Sequence, residues 1–344
     1  MILIVALAFD HLLNHAGVPA FVNRIPVLVG AFTVSAVSMR LIFAVAASAG
    51  VQLLNYADDQ GWVYNNVENV RLVNEFLAGN PALCVGLILF TFAASMVLGG
   101  LSGWLLARVT LRLTPVLILM VTLGLTDVGC VLGRNTIWAA GGTMGVSVPD
   151  LLAFMPGMQH AAWIVILIAI VIGVYFLLER LEASSWGRRV AAAGDNPITA
   201  ASVGKDVVRI RGDVVFHTSG IMALAGALWG FYYLFVVESS FHNWPWLFLP
   251  LVAITLGGPG GRWRIIVGTG LLFVVEFFIT SLSHMQNEGN FILQSIIFFP
   301  ISYLEDVFLA LFILLAFTRL PKIMSRRRTT SIKGIHYEDA VEAF

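Results

Sequence analysis

Charged side chains make up only 12% of this 344-residue sequence, where about a quarter is usual for a soluble globular chain. That is too little charge to cover a water-facing surface. Neither sign is in excess: 20 basic residues balance 20 acidic ones, so nothing draws the chain electrostatically toward nucleic acid. Cysteine is nearly absent. Cys84 and Cys130 both lie in apolar runs and are expected to be small core residues rather than a disulfide. No GxxxxGK[ST] phosphate loop occurs. The glycine turn GGPGGRWR (257–264) lacks the required Lys-Ser/Thr pair. The start, MILIVALAFDH, has no basic region before its apolar run, which argues against a secretory signal. It is expected to be either a short first span or a surface segment.

Apolar residues are abundant. They form 58% of the chain, and the mean hydropathy is +0.88. Long apolar runs fall at 25–54, 82–107, 113–133, 160–178, 213–237, 243–259, 263–282 and 295–318. A spanning helix needs ~20 such residues. Lipid offers no partner to an unpaired backbone group, so these runs are expected to be helices. The two-residue alternation of a barrel strand is missing from them. The expected fold is all-α: a polytopic membrane bundle of about eight helices, or nine if the first 22 residues cross. No linker suggests a second folded domain, so residues 1–344 are expected to form one transmembrane domain.

Basic residues set the orientation, because they collect on the cytoplasmic side. The 179–212 loop carries Arg180, Arg188, Arg189, Lys205, Arg209 and Arg211, and the tail 319–344 carries six more. Placing both inside also places Arg24, Arg108, Arg112, Arg262 and Arg264 inside. Only Arg71 and Arg134 then fall outside, with Arg40 inside a span. Asp58, Asp59, Glu68, Glu75, Asp150, Glu238 and Glu288 all fall outside. The C-terminus is therefore expected in the cytoplasm, and the parity requires 243–259 to cross.

The 179–212 loop is the most informative stretch. Gly194-Asp195 reads as a turn, Asn196 as an N-cap and Pro197 as the first helical position. Residues 197–203 give about two helical turns, and Gly204 suits the left-handed C′ position. The small residues Ala200, Ala201 and Ser202 would let another protein approach closely. Such a capped helix is either an ordinary interfacial loop or a plug for a cytoplasmic motor subunit. Arg188 and Arg189 serve the membrane surface and topology in preference to pairing with a partner's acids.

Ionisable residues inside spans are costly and often functional. Arg40, Asp127 and Glu276 are the clearest. Asp127 lies near the outer end of its run, where it can reach water. Glu276 in LLFVVEFFI serves either helix packing or a solute route. Asp10, His11 and His15 share a helix face but lack the further ligands of a metal site. Gly100-Leu101-Ser102-Gly103 matches the GxSG text of an intramembrane serine protease, with His217 as the available base. Small-residue clusters also serve helix packing. An ion-coupled secondary transporter would place matched ionisable groups at mid-membrane, and the few buried charges speak against it.

The stretch RRVAAAGDNPITAASVGKDVVRIRGDVVFHTSGIMALAGALWG (188–230) resembles permeases of branched-chain amino acid ABC transporters. The likeness lies in the arginine, the alanine-rich run, the acidic-Asn turn, and Ser219 through Ala227. Further matches follow in order. VTLGLTD (121–127), GGTMGVSVP (141–149), LVAITLGGPGGRW (251–263) and the exit FTRLPK are each similar to a family segment. Ala140 stands where the family has threonine, and NYADDQGWVYNN (55–66) departs from the family's early glycine motif. The resemblance covers about 105–325.

The resemblance implies a permease of the inner membrane that forms the pathway for a small polar or zwitterionic solute. Branched-chain amino acids come first, with urea, amides or sugars as alternatives. It also implies a second permease, identical or related, two cytoplasmic ABC ATPases and an extracytoplasmic solute-binding protein, with membrane lipid around the bundle. The chain would bind no cofactor and have no enzymatic site of its own, ATP and Mg being held by the ATPase. Gly194, Asp195, Asn196, Pro197, Ala200, Ala201 and Gly204 would couple to that ATPase. Thr122, Asp127, Gly141, Gly142, Thr143, Gly145 and Glu276 would line the pathway. A simple interhelical turn is the alternative for Gly141–Gly145.

Overall fold

The computed structural model describes residues 1–56, 58–258 and 261–287, together with Val307, Ala310, Leu311 and Leu314. Apart from those four positions, the expected span 295–318 lies outside the described residues, as do Glu288, FTRLPK, the basic tail 319–344, and Pro259 and Gly260. The chain falls into two compact units divided between Leu247 and Phe248.

Among the described residues, six helices are long and apolar enough to cross a membrane: Arg24–Ser48, Pro81–Thr110, Val116–Asn135, Gln159–Ala183, Val207–Tyr233 and Arg262–Ser281. They correspond to six of the eight expected spans. A seventh expected span, 243–259, is a π-helical turn at Trp244–Phe248 followed by the nine-residue helix Leu249–Gly257. That is short of the ~20 residues of a full crossing. Proline at its start and a left-handed Gly258 (φ 73°) bound it. The parity argument for this segment therefore does not hold as a single-helix crossing.

In the first unit, α1 (Ile2–Asp10) continues through a π-helical turn at His11–His15. The side chains from Ile4 to Phe9 are wholly buried, so the start of the chain is an interior helix and not a surface segment. Next come α2 (Arg24–Phe32), a π-helical stretch at Thr33–Ser38, and α3 (Met39–Ser48). Short polar helices α4 (Asp59–Tyr64) and α5 (Asn66–Ala78) precede α6 (Pro81–Thr110) and α7 (Pro115–Asn135). After α8 (Ile137–Ala140) come the strand β1 (Val146–Ser147), α9 (Gln159–Ala183), α10 (Ser185–Asp195) and α11 (Pro197–Ser202). The unit closes with α12 (Val207–Tyr233), the strand β2 (Phe235–Val236) and a 3-10 turn at Glu238–Phe241.

The core of this unit is α12, packed against α1, α2, α6 and α9. In its apolar window 83% is buried, against 17% for α9. Apolarity does not decide this, since α9 is the more apolar of the two; small residues on α12 let neighbouring helices pack closely against it. Its small residues bring backbones into contact: a Cβ on Gly226 would lie 1.9 Å from the Val27 oxygen, and one on Gly30 1.9 Å from the Ala223 oxygen. On α6, a Cβ at Gly99 would meet Ala223, and one at Gly103 would meet Ser219. The Ser219–Ala227 run is therefore a packing surface. The second unit pairs α13 (Leu249–Gly257) with α14 (Arg262–Asn287). A Cβ on Gly268 would lie 2.3 Å from the Ala253 oxygen.

The ends of the helices that carry Arg71 and Arg134 are braced to one another. The strands β1 and β2 pair antiparallel, Val146 opposite Val236 and Ser147 opposite Phe235. Asn66 donates to the Ser147 carbonyl (3.3 Å) and accepts from its amide (2.6 Å). Both basic residues expected outside are neutralised there. Arg71 pairs with Glu68 (2.6 Å) and Glu75 (2.7 Å), and Arg134 with Glu238 (2.9 Å). The Arg71 hydrogen bond holds the Glu68 carboxyl below its usual range.

Candidate functional site

Two places in the first unit concentrate the residues of interest. The first is the loop after α9. The Ser184 hydroxyl caps α10 by accepting from the Gly187 amide (3.1 Å). The helix then runs through Ala191, Ala192 and Ala193 to Asp195. Gly194 and Asp195, expected as a turn, are thus the last turn of a helix, because the alanine run favours continuing it. The chain breaks at Asn196, whose side chain accepts from the Thr199 amide (3.1 Å) and caps α11. Pro197 is the first helical residue.

The end of α11 is equally well defined. The Gly204 amide donates to Ala201 (3.0 Å) and the Lys205 amide to Ala200 (3.1 Å), with Gly204 at φ 77°. This is the paired hydrogen bonding of a Schellman cap. The outward face differs from the expected one. Ala200 is only 4% exposed and turned toward its own chain, while Ile198 is 81% and Val203 68% exposed. Ala201 and Ser202 are exposed with them. The helix therefore presents two aliphatic knobs, and Ala200 anchors it from behind.

This loop rests on the N-terminal helix. His11 Nδ1 lies 2.9 Å and His15 Nδ1 3.7 Å from Glu182, and the two imidazoles stack at 4.9 Å. His15 also hydrogen-bonds the Gly187 carbonyl (3.1 Å). Among the described residues no group of histidine, cysteine and carboxylates is arranged to hold a metal. His11 and His15 fasten the start of the chain to α9 and α10, while Asp10 accepts from Asn14 (2.6 Å).

The second place lies between α2, α7 and the turn after β2. Arg24, expected in the cytoplasm, is buried there: it ion-pairs with Asp127 and donates to the Phe241 carbonyl. It also reaches Asn243 (3.2 Å) and lies 3.7 Å from Glu238. Its partners were all expected outside, so the basic-residue rule misplaces it. The reason is that α2 begins beside the middle of α7 rather than at its Pro115 end. Phe21 and Ile25 pack at Thr122 and Gly129. Arg134 shares Glu238, which is buried. Asp127 does reach solvent, with its side chain 55% exposed. The Thr122 hydroxyl is wholly buried, accepting from the Phe21 amide (3.0 Å) and donating to Ile118 (2.7 Å).

Arg134 also borders a cavity of about 330 Å³. Gly141, Gly142, Thr143, Val63, Ile137 and Met144 line it as well. Gly141 and Gly142 take φ 71° and 64°. Gly145, at φ 74°, approaches β2 so closely that a Cβ would lie 2.9 Å from the Val236 oxygen. The glycine loop is thus brought to the cavity, and Asp127 is linked to it through Arg24, Glu238 and Arg134. Thr122 sits apart from the cavity, and Glu276 lies half-buried on α14 in the second unit. Sequence reading missed Arg24, Arg134 and Glu238 as site residues. Arg40, read as lying inside a span, donates to the Trp138 carbonyl (3.0 Å) and stacks over Trp62 (4.7 Å).

The structure gives the protease reading no support. The Ser102 hydroxyl donates to Gly99 of its own helix (2.7 Å), while His217 packs edge-on against Trp186 (5.5 Å). A serine nucleophile would instead be hydrogen-bonded to its base.

A buried glycine-packed helix, lipid-length apolar helices around it and a capped loop helix define a multi-pass helical membrane protein of the permease kind. The chain matches the family described as branched-chain amino acid transport system / permease component over residues 1–317, and it belongs to that family. It is similar to the probable branched-chain amino acid transport permease protein LivM of Methanocaldococcus jannaschii. The two are 26% identical over 276 residues, covering 79% of this chain and 76% of the relative. No solved structure matches. The chain is thus a transport subunit.

Proposed function

We propose that this permease forms the pathway for branched-chain amino acids in an ATP-driven importer of the cell's inner membrane, with its C-terminus in the cytoplasm. Two ABC ATPases hydrolyse ATP with Mg and dock on the 194–204 loop. A second permease, identical or related, completes the pathway, and an extracytoplasmic binding protein delivers the solute. The observation that carries this reading is α11. It is a short helix capped at both ends, held from behind by Ala200 and presenting Ile198 and Val203 to solvent. Aliphatic side chains this exposed on a rigid helix are suited to a cleft in a partner protein.

The test is uptake of radiolabelled leucine into proteoliposomes holding the permease pair, the ATPases and the binding protein. Uptake is expected to require ATP inside the ATPase compartment and to be competed by isoleucine and valine. Uptake driven by an ion gradient without the ATPases, or competed only by urea or a sugar, contradicts it.

A further inference from the structure

Arg134 is anchored on one edge and open on the other. Its Nε donates to a Glu238 oxygen at 2.9 Å, and its Nη2 lies 2.9 Å from the same oxygen in the ion pair. Its Nη1 has no partner among the described residues. Glu238 is only 2% exposed and has Arg24 3.7 Å away on its other oxygen, so the carboxylate is fixed from both sides. The result is a guanidinium with its direction set by one ion pair and its remaining N–H groups at the edge of the cavity. Arginine in this arrangement suits a planar carboxylate, which takes parallel hydrogen bonds from its fork.

The cavity supplies the rest of a small-solute site. Its volume of about 330 Å³ lies at the lower end of the ~300–1,000 Å³ usual for such sites. Val63, Ile137 and Met144 give it an aliphatic lining. Gly141 and Gly142 carry no side chain, so backbone lines the space a ligand would occupy. One cation beside an apolar wall is complementary to a molecule with a carboxylate at one end and a branched hydrocarbon at the other.

We infer that Arg134 is the carboxylate-recognising residue of a solute subsite formed with the Gly141–Thr143 loop, and that it takes the α-carboxylate of an aliphatic amino acid. The inference rests on the reading of the chain as an amino-acid permease and names the group that selects within it. An acidic side chain of the delivering protein is the competing source of a carboxylate. The apolar wall beside the guanidinium favours the free solute.

The test uses the full chain in detergent, without a binding protein. Thr143→Cys places a thiol in the exposed lining, while native Cys84 and Cys130 are buried. The rate of maleimide labelling is read with added L-leucine or leucinamide, whose carboxylate is replaced by a neutral amide. Leucine is expected to protect and leucinamide not. Adding Arg134→Gln is expected to raise the half-protecting leucine concentration ~10- to 100-fold, the weight of a charged hydrogen bond, and to erase the difference between the two ligands. Arg134→Lys keeps the charge and is expected to fall between. Gel filtration confirms folding, which Glu238 supports by keeping Arg24.

Protection by leucinamide equal to that by leucine overturns the inference, as does protection that survives Arg134→Gln. Absence of protection by leucine also overturns it. If leucine uptake by the assembled transporter persists in that last case, only the site is wrong. If uptake fails as well, the amino-acid reading fails with it.

Discussion

Gly17 and Gly194 meet as bare backbones: a side chain on Gly17 would come within 3.0 Å of the Gly194 carbonyl oxygen, and one on Gly194 within 2.9 Å of the His15 oxygen. The turn after the N-terminal helix therefore seats the last turn of α10. A displacement of α10 would meet the N-terminal helix, which packs on α12. Gly194→Val is expected to push the two apart at a cost of about 1–3 kcal/mol. The expected outcome is a folded protein with weakened ATPase retention, although residue 194 is not on the exposed face of α11. Co-purification with the ATPase and melting in detergent separate the two effects.

Helix contact on α12 gives a sharper stability test. Gly226→Ala sets a methyl 1.9 Å from the Val27 oxygen, whereas nothing lies within 4 Å of a Cβ on Gly173. The first is expected to lower the melting temperature by several degrees, since backbone must move. The second is expected to leave it unchanged or raise it, because alanine suits a helix better than glycine by ~0.5–1 kcal/mol. Thermal melts of the two variants side by side check this.

Charge burial ranks the ion network. Arg24→Gln leaves the buried Glu238 short of one cation and is expected to cost about 3–5 kcal/mol, the usual loss when one partner of a buried pair is removed. Asp127→Asn removes a carboxylate that is 55% exposed, and water makes up much of the loss. The yield of monodisperse protein is expected to fall sharply for the first and little for the second.

Ser102→Ala removes a hydroxyl whose hydrogen bond is to Gly99 of its own helix (2.7 Å). Leucine uptake by the assembled transporter is expected to be unchanged within a factor of about two, the precision of comparing small stability effects. A total loss would restore the case for chemistry at this serine.

The parts of the structure legible in the sequence are those fixed locally. Asn196, Pro197 and Gly204 encode α11 by capping chemistry, and it forms at Pro197–Ser202. Six of the eight apolar runs are helices of spanning length among the described residues. What failed depended on contacts far apart in the chain. Arg24, Asp127, Arg134 and Glu238 meet across more than a hundred residues, and no spacing announces them. A rule that counts basic residues cannot see that α2 starts inside the bundle. The first 22 residues were ambiguous because a run too short to span is buried by protein as readily as by lipid.

The most direct test of ATPase docking on α11 is retention of candidate ABC ATPases by the detergent-solubilised permease, comparing wild type with Ile198→Glu plus Val203→Glu. Both substitutions are at exposed positions, so the variant is expected to fold. Wild type is predicted to hold the ATPase and the variant to lose it, with unchanged gel-filtration behaviour. Equal retention by the variant, or none by wild type with any candidate, would contradict the assignment of α11 as the docking element.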